Sequence, residues 1–105
     1  MAKCKIEWSI EAEQDLVRIL EYYVQRNGNN TYSKKLYAKI NKTLSIISKR
    51  PNIGIMSDYE SVRALITGDY QIIYLISKDV IIVTMLWDCR RDPQDMKIGK
   101  RLSGK

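Results

Sequence analysis

The chain has 105 residues, 45% of them hydrophobic, and carries 18 basic against 12 acidic side chains for a net charge of +6. That length suits one domain with a modest core, and no Pro/Gly/Ser-rich linker divides it. Histidine is absent, which removes the commonest general base and the commonest zinc ligand, so neither a metal site nor a cofactor is expected.

Lys3–Trp8 alternates, with Cys4, Ile6 and Trp8 on one side and Lys3, Lys5 and Glu7 on the other, the period of a half-buried strand. Ser9 follows as an N-cap, and Glu11 and Glu13 occupy the first turn, where the helix dipole favours negative charge. Ala12, Leu16, Ile19, Leu20 and Tyr23 trace one stripe of a helix over 10–26. Asn27-Gly28-Asn29-Asn30 ends it. Thr31 or Ser33 is the expected cap of a second helix over 32–49, whose stripe is Leu36, Ile40, Leu44 and Ile47, until Arg50-Pro51 forces a stop.

Pro51–Tyr59 reads as an irregular connection with a turn at Gly54. Ser61–Ile66 is the second predicted strand, with Val62, Ala64 and Ile66 on one face and Arg63 and Leu65 on the other. Turns at Thr67-Gly68-Asp69 and Lys78-Asp79 separate it from strands at Tyr70–Ser77 and Val80–Trp87. These last two are apolar at nearly every position, as central strands covered on both faces would be. The order is β-α-α-β-β-β, which predicts an α+β fold with the helical hairpin on one face of an antiparallel sheet. Leu16, Leu20, Leu36, Ile40, Leu44, Ile72, Ile76 and Val83 are the expected core. Phe is absent, so seven tyrosines and two tryptophans supply the aromatic bulk. Tyr22, Tyr23, Tyr70 and Tyr74 read as core and core-edge residues rather than base-stacking platforms, since Tyr70 and Tyr74 share a side with Ile72 and Ile76.

The positive charge is uneven: residues 1–30 sum to −1, 31–60 to +4 and 61–105 to +3. Such a field favours nucleic acid, ribosome or an acidic protein. The strand at Val80–Trp87 runs into Asp88-Cys89-Arg90-Arg91-Asp92-Pro93, where guanidiniums offer a fork suited to phosphate or carboxylate. Arg90 is the contact candidate of the pair, and Arg91 is expected to pin the strand exit. Arg63 could meet a phosphate, a partner carboxylate or solvent. Lys35, Lys39 and Lys42, at i, i+4 and i+7, form either a solvated face or a groove for an acidic partner. Lys97, Lys100, Arg101 and Lys105 make a basic tail over 97–105 with little apolar content to order it, after a domain of 1–96. No run approaches the roughly 20 apolar residues of a membrane span and no secretory signal precedes the first strand, so a cytoplasmic location with Cys4 and Cys89 as free thiols is expected.

Several of these residues stand in an order that resembles the RelE/ParE superfamily of bacterial type II toxins, specifically Glu11 to Leu16 through Ile19 and Tyr22, Pro51-Asn52-Ile53-Gly54, Val62-Arg63, Tyr70 to Tyr74, and Arg91-Asp92-Pro93. The resemblance runs from about Ile6 to Met96. It implies a toxin held inactive in a hetero-oligomeric complex with a co-encoded antitoxin, expected to be acidic, with the first and last strands adjacent in the sheet. RelE-like members cleave messenger RNA on the ribosome; ParE-like members poison DNA gyrase. RelE-like toxins usually place an arginine after the tyrosine opening the third strand, where this chain has Gln71, and a late tyrosine or histidine, where it has Met96-Lys97. Arg63, Arg90 and Lys97 are the candidates for a nuclease centre. The close from Leu86 to Pro93 resembles ParE-like endings, although Trp87 stands where a histidine is common. The resemblance leans to ParE, and an inert antitoxin-binding homologue is the third possibility.

Overall fold

The computed structural model describes residues 3–103. Strand β1 (Lys5–Trp8) leads into helices α1 (Ile10–Asn27) and α2 (Thr31–Lys49), a 3-10 turn (Pro51–Ile53), strands β2 (Ile55–Met56), β3 (Val62–Thr67), β4 (Tyr70–Ser77) and β5 (Val80–Asp88), a second 3-10 turn (Pro93–Asp95) and a short helix α3 (Ile98–Ser103). The sheet order is β1-β5-β4-β3-β2.

The antiparallel expectation holds from β2 to β5, whereas β1 pairs with β5 in parallel, Lys5 opposite Val80 and Trp8 opposite Val83. Direction follows from the hairpin. α2 returns the chain to the level at which β1 began, where the Cys4 amide donates to the Ser48 carbonyl. Three meander strands starting from that end leave β5 running in the direction of β1.

Local signals hold α1 as expected. The Ser9 hydroxyl accepts the Ala12 amide at 3.1 Å, and Gly28 closes the helix at φ +74° while its amide donates to Val24. The start of α2 differs. Thr31 is already helical and its amide donates to the Asn29 side chain. Ser33 is buried inside the helix, and its hydroxyl donates to the Leu20 carbonyl of α1 at 2.7 Å. Neither expected residue caps the helix, because the Asn29 side chain reaches the free amide from outside.

The connection at 51–59 is more ordered than its composition suggests. Ile55 and Met56 pair with Ala64 and Arg63, adding a two-residue edge strand that no periodicity could reveal. Gly54 sits at the bend that closes the 3-10 turn, as expected, with an ordinary φ of −71°. The Tyr74 hydroxyl fills the place of its missing side chain, accepting the Gly54 amide at 2.9 Å and donating to the Pro51 carbonyl at 2.7 Å. Ser61, the expected start of its strand, takes φ +63°, so β3 begins at Val62.

The sheet is covered on both faces. On the hairpin side, Leu36, Ile40, Leu44 and Ile47 of α2 and Ala12 and Tyr23 of α1 meet Tyr70, Ile72, Tyr74, Ile81, Val83 and Leu86. Leu16, Leu20 and Ile76 pack against this core while remaining partly accessible. On the other side Val62, Ile73, Met85 and Trp87 form a second core beneath Met96, Ile98 and Leu102. A bulge distributes β5 between the two. Ile73 faces Met85 and Tyr74 faces Val83, so Thr84 is the extra residue and its hydroxyl donates to the Ile73 carbonyl. Residues 97–103 are therefore no loose tail, since Ile98 and Leu102, one helical turn apart in a basic sequence, suffice to dock α3; Lys105 lies outside the described residues. No helix among the described residues is long and apolar enough to cross a membrane.

Burial pushes the Tyr74 phenol above its ordinary value, against smaller opposing effects of the Gly54 amide and Arg63. A raised folded-state value means that folding favours the neutral phenol. Its contribution is complete below the usual tyrosine value near ~10 and is lost as pH climbs through the raised one. Unfolding free energy should therefore fall above about pH 10, and Tyr74→Phe should flatten that fall. The same variant should lose about 1–3 kcal/mol at neutral pH, because the Gly54 amide and Pro51 carbonyl lose their partner. Equal alkaline slopes in denaturant titrations of variant and wild type would refute this assignment.

Candidate functional site

β1 ends opposite Val83, so the outer edge of β5 beyond that point has no strand partner. Backbone groups stranded there need other partners. The Leu86 amide donates to Asp15 Oδ2 at 3.1 Å, and the Thr84 carbonyl accepts from Arg101 Nη1 at 2.9 Å. Asp15 and Arg101 then meet in a two-point pair, Nη1–Oδ2 2.8 Å and Nη2–Oδ1 3.0 Å. The carboxylate is almost wholly buried, its side chain 3% exposed. Glu11 lies 3.4 Å from Arg101 Nε, and Arg18 donates to Asp15 Oδ1 at 2.6 Å. The Asp15 hydrogen bonds raise the Arg101 guanidinium above its usual value, and the pair ties α1, β5 and α3 together.

The strand exit lies next to this lock. Asp88 pairs with Tyr70 across the sheet and accepts Arg90 Nε on Oδ1 and Arg90 Nη2 on Oδ2, each at 2.9 Å. Arg90 Nη2 also donates to the Tyr23 hydroxyl at 3.1 Å, which lies 3.1 Å from the Tyr70 hydroxyl. The Arg90 fork holds the Asp88 carboxyl below the usual carboxylate range, and Asp88 and Tyr23 raise the guanidinium. Burial pushes the Tyr70 phenol up. Tyr23 is held lower, by its hydrogen bond with Tyr70 and by facing Arg90. The Arg91 guanidinium sits 4.5 Å from the centre of the Trp87 ring, a cation–π contact.

Arg18, Tyr22, Tyr70, Asp88, Arg90 and Arg91 thereby line a cleft of about 410 Å³ between α1 and the end of β5. Arg18 on α1 is held by Asp15, while Arg90 and Arg91 follow β5 in a turn and a bend, Arg90 held by Asp88 and Arg91 against Trp87, whose ring belongs to the core on the other face of the sheet. The Nε/Nη2 edge of Arg90 already grips Asp88, so a carboxylate or phosphate would meet this guanidinium from its other side. Asp88, engaged at both oxygens and held low, is a weak base, so the arrangement suits binding better than proton abstraction.

The structure brings together only Arg90 and Arg91 of the sequence candidates. Arg63 lies opposite Tyr74, four residues along β4 from Tyr70, and on the hairpin side. Its guanidinium is turned back onto the connection after α2, donating to the Asn52 and Gly54 carbonyls at 3.1 and 2.7 Å. Lys97 donates to the Gln94 carbonyl. Lys35, Lys39 and Lys42 stand on the exposed side of α2. Tyr22 corrects the core assignment: it is 55% exposed and lines the cleft, with its ring edge-on to Tyr23. Among the described residues no three His, Cys, Asp or Glu side chains converge as metal ligands would.

Arg18, Asp15 and Arg101 escaped the sequence reading. One signal was present: Asp15 lies three residues after Ala12, within the buried arc of α1, where an unpaired acid would be costly. No local pattern names a partner 86 residues away.

The family model described as ParE toxin of type II toxin-antitoxin system, parDE, matches residues 6–93. A solved structure of the chromosomal ParDE TA system from P. aeruginosa shares the fold, with a TM-score of 0.69 over 82% of this chain and 96% of that chain at 19% identity. No curated protein matches the chain.

Proposed function

The chain belongs to the ParE toxin family of type II toxin–antitoxin systems, and from that premise we propose that it inhibits DNA gyrase through the cleft at the β5 exit. A toxin of such a system has an antitoxin partner; we further propose that this antitoxin is co-encoded and acidic, matching the +6 charge of the toxin. The observation that carries the gyrase reading is the cleft itself. Arg18 and Arg90 are aimed by carboxylate partners in a cleft that Arg91 and an exposed Tyr22 also line, a combination of arginine and aromatic side chains typical of protein contact sites. Arg63 lies outside the cleft, its Nη1 turned onto two backbone carbonyls of the connection after α2, which counts against a nuclease centre built on it.

The test is a gyrase supercoiling assay run beside primer extension on translating ribosomes. The wild-type chain should inhibit supercoiling, stabilise gyrase-linked DNA breaks and leave message intact. Arg90→Ala should weaken inhibition by about tenfold or more, the loss expected of an interface anchor, while Arg63→Ala, compared at equal folded concentration, should inhibit nearly as well as wild type. Cuts in the message at A-site codons, abolished by Arg63→Ala, would replace this reading with the nuclease one.

A further inference from the structure

We propose that the outer face of α2 is a binding site for the phosphate backbone of duplex DNA. α2 carries Lys34, Lys35, Lys39, Lys42 and Lys49 and no acidic residue over its 19 positions. None of the five is ion-paired, and no carboxylate among the described residues lies within 4 Å of them. Arg18, Arg90 and Arg101, by contrast, are each held by a carboxylate. A face kept only for solubility normally mixes both signs.

The spacing is regular. Lys35, Lys42 and Lys49 recur at seven-residue steps, close to two helical turns, and so fall on one straight line with intervals of about 10.5 Å. That line lies away from the buried stripe of Leu36, Ile40, Leu44 and Ile47, and Arg50, exposed, follows Lys49 at the C-cap. Lys39 flanks it, leaning over the β3–β4 turn near Gly68.

A straight row of lysines complements a stiff rod of uniform charge, and B-DNA presents about one phosphate per 1.7 Å of axis. Lysine is a point charge on a flexible stem, able to meet phosphates at any phase but poor at selecting one carboxylate geometry. A protein partner would be expected to bury an apolar anchor at the centre of the contact, and beside the row stand Ile46, 40% exposed, and, at its N-terminal end, Tyr32, 39% exposed and already packed against Tyr23. Single strands would require aromatic platforms along the line. The Lys row and the β5-exit cleft are separate surfaces, so DNA contact by the row does not depend on gyrase being what the cleft binds.

The experiment is fluorescence anisotropy of a labelled 20-base-pair DNA duplex of mixed sequence, titrated with the purified full chain between 50 and 200 mM salt. Wild type should bind with an affinity that falls steeply with salt. Lys35→Gln/Lys42→Gln/Lys49→Gln should reduce the log–log slope by about 2.7, so that its affinity loses about 40-fold less over that salt range. Gln keeps the helix propensity, and circular dichroism checks the fold. A charge-matched control, Lys5→Gln/Arg26→Gln/Lys78→Gln, should retain most of the wild-type slope. Absence of binding at 50 mM salt, an unchanged slope in the α2 variant, or an equal loss in the control would overturn the proposal. Polyglutamate displacing the duplex at lower charge concentration than unlabelled DNA would reassign the row to an acidic protein. An RNA duplex binding more than about tenfold tighter would overturn the choice of DNA.

Discussion

Asp15→Ala should destabilise the protein by about 3–5 kcal/mol, the loss expected when one partner of a buried ion pair is removed. The carboxylate accepts from Arg101 twice, from Arg18 and from the Leu86 amide. Alanine would leave a backbone donor of β5 and a largely buried guanidinium without an acceptor. Against the total stability of about 5–15 kcal/mol usual for a domain, the melting temperature should fall on the order of 20 °C. Asp15→Asn, which can still accept the Leu86 amide, should cost less. Arg101→Ala should also be costly, since it strands the carboxylate and the Thr84 carbonyl, and the double variant Asp15→Leu/Arg101→Met should be more stable than either single alanine variant. Urea unfolding of the four variants beside wild type measures all of this. An Asp15→Ala unfolding free energy within about 1 kcal/mol of wild type would mean that the pair holds nothing together.

Gly54→Ala should cost about 2–4 kcal/mol, combining overpacking with a lost hydrogen bond. A Cβ there would stand 2.5 Å from the Tyr74 hydroxyl and 3.0 Å from the Ala64 carbonyl. The phenol has nowhere to go: Tyr74 is fully buried and held by Pro51 and Gly54. Arg63 grips the Gly54 carbonyl, so a shifted backbone would loosen that contact too. Gly28→Ala is the instructive comparison. Gly28 has a left-handed φ and nothing within 4 Å, while Gly54 has an ordinary φ and no room. A smaller loss at Gly54 than at Gly28 would show that the Tyr74 contact yields easily and that backbone conformation alone governs both sites.

Both variants probe contacts between residues far apart in the chain, and the division between what was legible and what was not follows that line. The stripe of α2, Leu36, Ile40, Leu44 and Ile47, is buried as its period predicts, because a repeat of 3.6 residues is a local property that packing only has to respect. The same holds for the Ser9 cap, the Gly28 stop and the turns at Gly68 and Lys78, each decided by residues within one or two turns of chain. The unbroken apolar run of β5 correctly announced cover on both faces, but not its source. That cover is α3, whose sequence is mostly polar and basic, and three apolar side chains become significant only once Val62, Ile73, Met85 and Trp87 form a surface to receive them.

By itself, then, the sequence determined the α+β class, the helical hairpin, the meander and the basic strand exit that marks the family. Tertiary structure alone decided what each charged residue does. Arg63, Arg90, Arg91 and Arg101 are chemically equivalent along the chain, yet one staples a loop, one is aimed by Asp88 and Tyr23, one stacks on Trp87 and one is locked against Asp15. A guanidinium takes whichever acceptor the fold brings within about 3 Å, and for Arg101 that acceptor lies at the other end of the chain.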